Sequence, residues 1–85
     1  MIQIHKEQLL NARAEVRADS IRRLIRDIDD ALSEWLQKEK EGTVVNEITI
    51  SIPSSLNGEV PEEVREELKE GGFCFNAEAG IITIY

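Results

Sequence analysis

The segment DSIRRLIRDIDDALSEWL, residues 19–36, carries an apolar side chain at every third or fourth position. That spacing is typical of one face of an α-helix. The apolar positions are Ile21, Ile25, Ile28, Leu32 and Trp35. Because no glycine or proline precedes Gly42, we expect a single helix over residues 1–41. A break at Asp19 and Ser20, two residue types that often cap helix starts, is the alternative.

A helix of this length is too long for so small a chain. About 36 helical residues span roughly 54 Å at 1.5 Å per residue, whereas a compact 85-residue chain has a diameter of about 30 Å. The helix therefore extends past its own domain or packs on copies of itself. The alternating steps of four and three favour copies, because they keep one apolar seam facing a partner helix. We predict a homo-oligomer in which residues 1–41 form the oligomerisation helix.

The predicted oligomer interface follows this seam: Ala14, Ala18, Ile21, Ile25, Ile28, Leu32 and Trp35. Beside the seam, Leu24, Ala31 and Leu36 widen the apolar face, and we expect them to pack on the chain's own sheet. The alternative is an ordinary amphipathic helix whose whole apolar face packs on that sheet.

Residues 43–53, TVVNEITISIP, change the apolar period from that of a helix to that of a strand. The alternation predicts a strand with Ile48, Ile50 and Ile52 on its buried face. Residues 60–72, VPEEVREELKEGG, then predict a short helix that begins at their proline.

Residues 73–85, FCFNAEAGIITIY, alternate apolar and polar residues on both sides of the loop NAEAG. This pattern predicts a hairpin, with Gly80 at positive φ in the loop. The resulting order is helix, strand, helix, strand, strand. We therefore predict one α+β domain over residues 1–85, in which residues 43–85 form a small α/β unit with a three-stranded sheet.

The formal net charge of −7 is unevenly distributed along the chain. Residues 1–26 carry six basic and three acidic side chains, a net of +3, while residues 27–70 carry four basic and thirteen acidic ones, a net of −9. Proteins that coat duplex nucleic acid are normally basic, because their affinity comes largely from phosphate neutralisation. We therefore expect no duplex nucleic acid as a partner.

The composition also predicts the compartment and the absence of bound groups. No apolar run approaches the roughly 20 residues that span a bilayer, and the first residues lack the pattern of a secretory signal. We expect a cytoplasmic protein without a membrane partner. Cys74 and His5 are the only cysteine and histidine, so we expect no disulfide, no metal and no cofactor. Cys74, which lies between two phenylalanines, is expected to be buried and reduced.

We expect no catalytic residues either. Acid–base and nucleophilic chemistry need a positioned base with an orienting partner in a cleft. The carboxylates of Asp27, Asp29, Asp30 and Glu34 instead alternate with arginines along the long helix, where spacings of three and four favour surface ion pairs. We therefore predict that the protein is not an enzyme.

Five arginines and two aromatic residues form the candidate ligand site: Arg13, Arg17, Arg22, Arg23, Arg26, Trp35 and Tyr85. A guanidinium group suits phosphate or carboxylate, and symmetry in an oligomer would multiply a few side chains into an anion pocket. With an aromatic face from Trp35 or Tyr85, the ligand would be nucleotide-like. The alternative is that each arginine pairs with acidic neighbours on the helix.

Six glutamates surround the second predicted helix: Glu59, Glu62, Glu63, Glu66, Glu67 and Glu70. Such a surface would imitate a phosphate backbone and occupy a basic site on a DNA-binding partner. The alternative is that it only keeps a small oligomer soluble.

The last third of the chain, VPEEVREELKEGGFCFNAEAGIITIY, resembles the end of many small, mostly uncharacterised proteins of tailed bacteriophages and prophages. The shared features are a helix started by Pro61 and Glu62, the Gly72-Phe73 pair after it, and a final Ile-Thr-Ile-aromatic run ending at Tyr85. The resemblance implies a phage accessory protein that binds and blocks a host component in the host cytoplasm. It carries no catalytic residue over to this chain.

Together these features favour a non-enzymatic homo-oligomer that binds and blocks a host protein as an inhibitor, an anti-defence factor or an adaptor. The alternative is a small-molecule sponge that sequesters a nucleotide-derived signal between subunits. The two hypotheses use different surfaces, the acidic second helix and the arginines of the first.

Overall fold

The computed structural model describes residues 1–85 as one long helix, one short helix and a three-stranded sheet. The elements, in chain order, are α1 (Lys6–Lys40), β1 (Ile48–Ser51), a 3₁₀ turn (Ser54–Leu56), α2 (Glu62–Glu70), β2 (Phe75–Glu78) and β3 (Ile81–Ile84). This order confirms the predicted α+β class. None of the helices is both long enough and apolar enough to cross a membrane.

α1 runs unbroken for 35 residues. Asp19 and Ser20 lie inside it, so the alternative of a helix break at this point is wrong. At its end, the Thr43 N–H donates back to the Lys38 carbonyl oxygen, 2.9 Å away, and Gly42 between them takes a φ of 90°. This left-handed closure is a common helix end, and glycine adopts it without steric cost.

β3 lies in the middle of the sheet, antiparallel to β1 on one side and to β2 on the other. Ile48, Ile84 and Phe75 form one row across the sheet, on the face that the helices cover. The next row, Thr49 with its two partners, points to the opposite face. The sheet therefore has one apolar face under α1 and α2 and one largely polar face open to solvent, as the alternation along the strands predicts.

The core consists of ten buried apolar side chains from α1, the segment between β1 and α2, α2 itself and β3: Ile21, Leu24, Ile28, Ile52, Leu56, Val60, Val64, Leu68, Ile82 and Ile84. α1 contributes three of them, and the middle one, Leu24, is fully buried. The prediction that Leu24 packs on the chain's own sheet is thus confirmed.

The packing of α1 corrects two expectations about its apolar face. Ile21 and Ile28, expected in the oligomer interface, lie in the chain's own core, because they are one turn to either side of Leu24 and share its face. Leu36, expected to pack on the sheet, is 57% exposed. The strands have four residues each, or about 13 Å, and are too short to cover α1 to its end.

The N-terminal part of α1 projects from the domain. Every residue from 1 to 19 is exposed, and the first buried residue is Ser20, whose hydroxyl is hydrogen-bonded to that of Ser55. The molecule measures 65 × 21 × 20 Å with a radius of gyration of 16.4 Å, against about 12 Å for a compact chain of its length. We call residues 6–19 the projecting segment; it extends roughly 21 Å at 1.5 Å per residue. The predicted mismatch between helix and domain is confirmed.

β2 and β3 are joined by a two-residue turn, Ala79 and Gly80, at φ values of 52° and 74°. This confirms positive φ at Gly80, but the loop is shorter than NAEAG, because residues 76–78 pair with β3. Two consecutive positive φ values are typical of a type I′ turn, whose twist matches that of the flanking strands. Alanine rarely adopts this conformation, because its Cβ crowds the backbone.

Replacing Ala79 with Asn should therefore raise the free energy of unfolding by about 0.5 to 1 kcal/mol, because asparagine tolerates the left-handed conformation better. Chemical denaturation at one fixed protein concentration measures the change. The matched control is Ala77→Asn in β2, where asparagine meets no positive φ and has a low strand preference. A loss of stability in Ala79→Asn, or an equal gain in both variants, contradicts this account of the turn.

Candidate functional site

The five arginines of the candidate ligand site divide between separate parts of α1. Arg22, Arg23 and Arg26 line one shallow surface depression. Arg17 lines a different one, beside the 3₁₀ turn and the start of α2. Arg13 lies further along the projecting segment and is exposed. Only three of the five arginines are therefore brought together.

One of these three arginines forms an ion pair with an acidic neighbour on the helix. Nη2 of Arg22 donates to Oδ1 of Asp19 at 2.9 Å, and its Nε donates to the Ala18 carbonyl oxygen at 3.4 Å. This confirms intrahelical pairing for Arg22. The predicted ladder of ion pairs is otherwise short, since the second and last ion pair joins Nζ of Lys38 to Oε1 of Glu34 at 3.4 Å.

The two aromatic residues of the candidate ligand site lie apart from the arginines. The ring of Trp35 packs against Phe73 at 6.2 Å between centroids, and its Nε1 donates to Oε1 of Glu39 at 3.2 Å. Along the helix axis Trp35 is about 13 Å from Arg26. Tyr85 follows β3 and has an exposed side chain. A single chain does not assemble the predicted ligand site.

Glu39 holds a neighbouring side chain and a neighbouring backbone segment in place, a role that the apolar pattern of the sequence does not predict. Its Oε1 accepts hydrogen bonds from Trp35 and from the backbone N–H of Val45, which is 3.1 Å away. It thereby ties the end of α1 to the segment that leads into β1. The spacing of four residues between Trp35 and Glu39 is the signal that indicates this contact.

An apolar groove of about 90 Å³ lies between α1 and α2. Its lining consists of Ile25, Ile28, Asp29, Leu32, Val64, Glu67, Leu68 and Phe73. We call it the α1/α2 groove. Pockets for small molecules usually measure about 300 to 1,000 Å³, so this groove suits a few apolar side chains rather than a nucleotide.

The structure divides the seven residues of the predicted oligomer interface. Two of them are buried in the core, as described above. The other five keep some exposed surface: Ala14, Ala18, Ile25, Leu32 and Trp35. Of these, the two alanines lie on the projecting segment, and the isoleucine and the leucine line the α1/α2 groove.

The outer side of α2 is strongly acidic. Its six exposed glutamates, which we call the acidic ridge, are Glu59, Glu62, Glu63, Glu66, Glu67 and Glu70. Neither of the two ion pairs in the chain involves them. The neighbouring Arg65 donates its Nε to the Val60 carbonyl oxygen at 3.0 Å and forms no ion pair. The ridge therefore presents six carboxylates that have no cationic partner within 4 Å.

Cys74 is exposed, which corrects the expectation that it is buried. Phe75 next to it faces the core, and alternation along the strand turns Cys74 to the open face of the sheet. No group of three or more His, Cys, Asp or Glu side chains is placed to hold a metal ion.

Comparison of the chain with protein-family models, with curated proteins and with solved structures finds no match in any of the three. Three surfaces of this chain are available to a partner: the projecting segment, the α1/α2 groove and the acidic ridge.

The scattered arginines predict no specific response to nucleotides. Thermal unfolding with a panel of cyclic and linear nucleotides should show no concentration-dependent rise in Tm, because a ligand that binds only the folded state would raise it. A saturable rise of several degrees that disappears when Arg22, Arg23 and Arg26 are replaced with Gln would contradict this prediction. It would support the sponge, with a site completed by a second chain.

Proposed function

We propose that the protein is a non-enzymatic, homo-oligomeric binding protein that blocks a basic surface of a partner protein with its acidic ridge. The observation that carries this proposal is the set of six exposed carboxylates on and beside one short helix, without an ion pair in the chain. Carboxylates arranged in this way attract a surface that otherwise binds phosphate. The target that fits this chemistry is a protein whose basic site binds nucleic acid.

The fold holds the ridge in a fixed position. α2 is anchored by Val64 and Leu68, which are 1% and 2% exposed. Because these two residues occupy its inner side, Glu62, Glu63, Glu66 and Glu70 lie on its outer side. Glu67 lies between the two sides, at the edge of the α1/α2 groove. A preformed acidic surface loses little conformational entropy when a partner binds, which favours recognition by occupancy.

Support for a homo-oligomer comes from the projecting segment. Leu9, Leu10 and Val16 are 53%, 50% and 53% exposed on it. Clustered apolar side chains exposed on a preformed helix are typical of a surface that a partner covers. Helical segments of this size are also only marginally stable in water without tertiary contacts.

The biological setting is supported by the resemblance of residues 60–85 to the ends of phage accessory proteins. It favours a bacterial host protein as the target and the host cytoplasm as the place of action. An inhibitor, an anti-defence factor or an adaptor would each act by occupancy. The α1/α2 groove agrees with a binding role, because its polar groups are Asp29 and Glu67, with no histidine, cysteine or hydroxyl side chain in its lining.

The test uses the chain as bait in a bacterial lysate, with quantitative mass spectrometry of what it captures. The ridge variant replaces Glu62, Glu63, Glu66 and Glu70 with Gln and keeps Glu67, which lies at the α1/α2 groove. We expect the original chain to capture a nucleic-acid-binding protein. The ridge variant should capture at least tenfold less of this protein, because the attraction is electrostatic. Raised salt and added duplex DNA should each release the captured protein.

The matched control removes four exposed carboxylates that lie outside the ridge and outside residues 27–41, by replacing Glu7, Glu15, Glu47 and Glu78 with Gln. This control has the same net charge as the ridge variant and should keep the captured protein. A captured protein that binds the ridge variant as well as it binds the original chain overturns the proposal. Equal losses in both variants would show that total charge, rather than the ridge, governs binding.

A further inference from the structure

One side of α1 carries Leu10 and two alanines in its first half and only large apolar residues in its second. Leu10, Ala14, Ala18, Ile25 and Leu32 are spaced by four or seven residues, so they lie on the same side of the helix. Beside Ile25 and Leu32 this side opens on the α1/α2 groove. Beside the alanines it lies on the projecting segment, where every residue is exposed.

Packing distinguishes the two directions in which a second α1 can lie along this side. In a parallel pair each alanine faces its own copy, which leaves Leu10 as the only large apolar side chain between the projecting segments. In an antiparallel pair the alanines of each copy face the half of the other that carries Ile25 and Leu32. Small and large side chains then interdigitate, as close packing of helices requires.

Charge favours the same direction. Residues 6–26 of α1 carry six basic and three acidic side chains, a net of +3. Residues 27–41 carry two basic and six acidic ones, a net of −4. A parallel pair sets like charges side by side over the whole helix, whereas an antiparallel pair sets the positive half of each copy beside the negative half of the other.

The side of α1 that faces the core continues into the projecting segment with basic residues. Arg13 and Arg17 are spaced from Leu24 by eleven and seven residues, which places them on the side of the helix that Leu24 occupies. Arg17 lies beside the start of α2 of its own chain. In an antiparallel pair Arg13 comes next to the α2 of the other copy, where Glu67 at the edge of the α1/α2 groove is a carboxylate that it can pair with.

We propose that the α1/α2 groove is the docking site for residues 6–19 of a second copy, in an antiparallel dimer with its two-fold axis near residue 21. Each copy places its projecting segment beside the groove of the other, so one contact is made twice, as a two-fold interface requires. This arrangement specifies the homo-oligomer of the proposed function and rests on it. It also covers Leu10 of the projecting segment, which lies one turn before Ala14 on the docking side.

Distances between spin labels on the two chains test the direction of the helices. Single cysteines are introduced at Gln8 or Arg23 in a Cys74→Ser background and labelled, and dipolar spectroscopy measures the distance within the dimer. The antiparallel dimer predicts about 40 Å between labels at position 8, from 1.5 Å per residue. It predicts no more than about 30 Å at position 23, which is close to the axis but on the outer side of each helix, so that the labels are about two helix diameters apart.

Every other pattern overturns the proposal. Short distances at both positions indicate a parallel pair, and long distances at both indicate an interface elsewhere, such as a sheet edge. Absence of dipolar coupling at both positions indicates that two copies do not pair, and that the groove binds a different protein or stays empty.

A pair of matched variants tests the contact itself. Ala14→Asp places a carboxylate on the docking side of the projecting segment, and Ala12→Asp places one on nearly the opposite side, two residues away. Both positions are exposed in the single chain, so both variants should fold. Ala14→Asp should lose the coupling at position 23, and Ala12→Asp should keep it; equal behaviour of the two contradicts the proposed docking side.

These measurements need no target protein. Failure of the original chain to capture a target, with the label distances as expected for the dimer, would contradict the ridge as a binding surface and leave the dimer standing. Normal capture by a chain without dipolar coupling would contradict the dimer and leave the ridge standing.

Discussion

The length of α1 relative to the domain that supports it is the constraint on which the rest of the structure depends. A helix of 35 residues lies on strands of four residues and a second helix of nine. Those elements bury only Ser20, Ile21, Leu24 and Ile28 from it. The remaining apolar side chains of α1 stay exposed or half-buried, and a second chain of the same shape can cover those on the side of Ala14 and Leu32.

This constraint also connects the assembly to the proposed activity. In an antiparallel dimer the two sheet domains lie toward opposite ends of the helix pair, and each carries its own acidic ridge. Two ridges on one rigid body can contact a partner at two sites, which raises the apparent affinity when the spacing matches. The dimer would then serve two purposes, to cover the projecting segments and to present acidic surfaces in duplicate.

Local physical rules account for the parts of the fold that could be predicted from the sequence. The period of the apolar residues indicates both helices and the strands, and Gly42 and Gly80 mark backbone positions that need positive φ. Tertiary packing decides the rest. Ile21 and Ile28 belong to the core rather than to an interface because the sheet lies under Leu24, and no periodicity in α1 reveals where a sheet of four-residue strands will lie. The ligand-site arginines share a segment of sequence, yet a helix turns them to different sides.

Sedimentation velocity at low micromolar concentration tests the central claim most directly, because it reports the mass of the species that carries the folded helix. The account predicts a single species of twice the 9.6 kDa chain mass. A single species of 9.6 kDa that retains the full helical content of α1 would contradict it, because the projecting segment would then be stable without a partner.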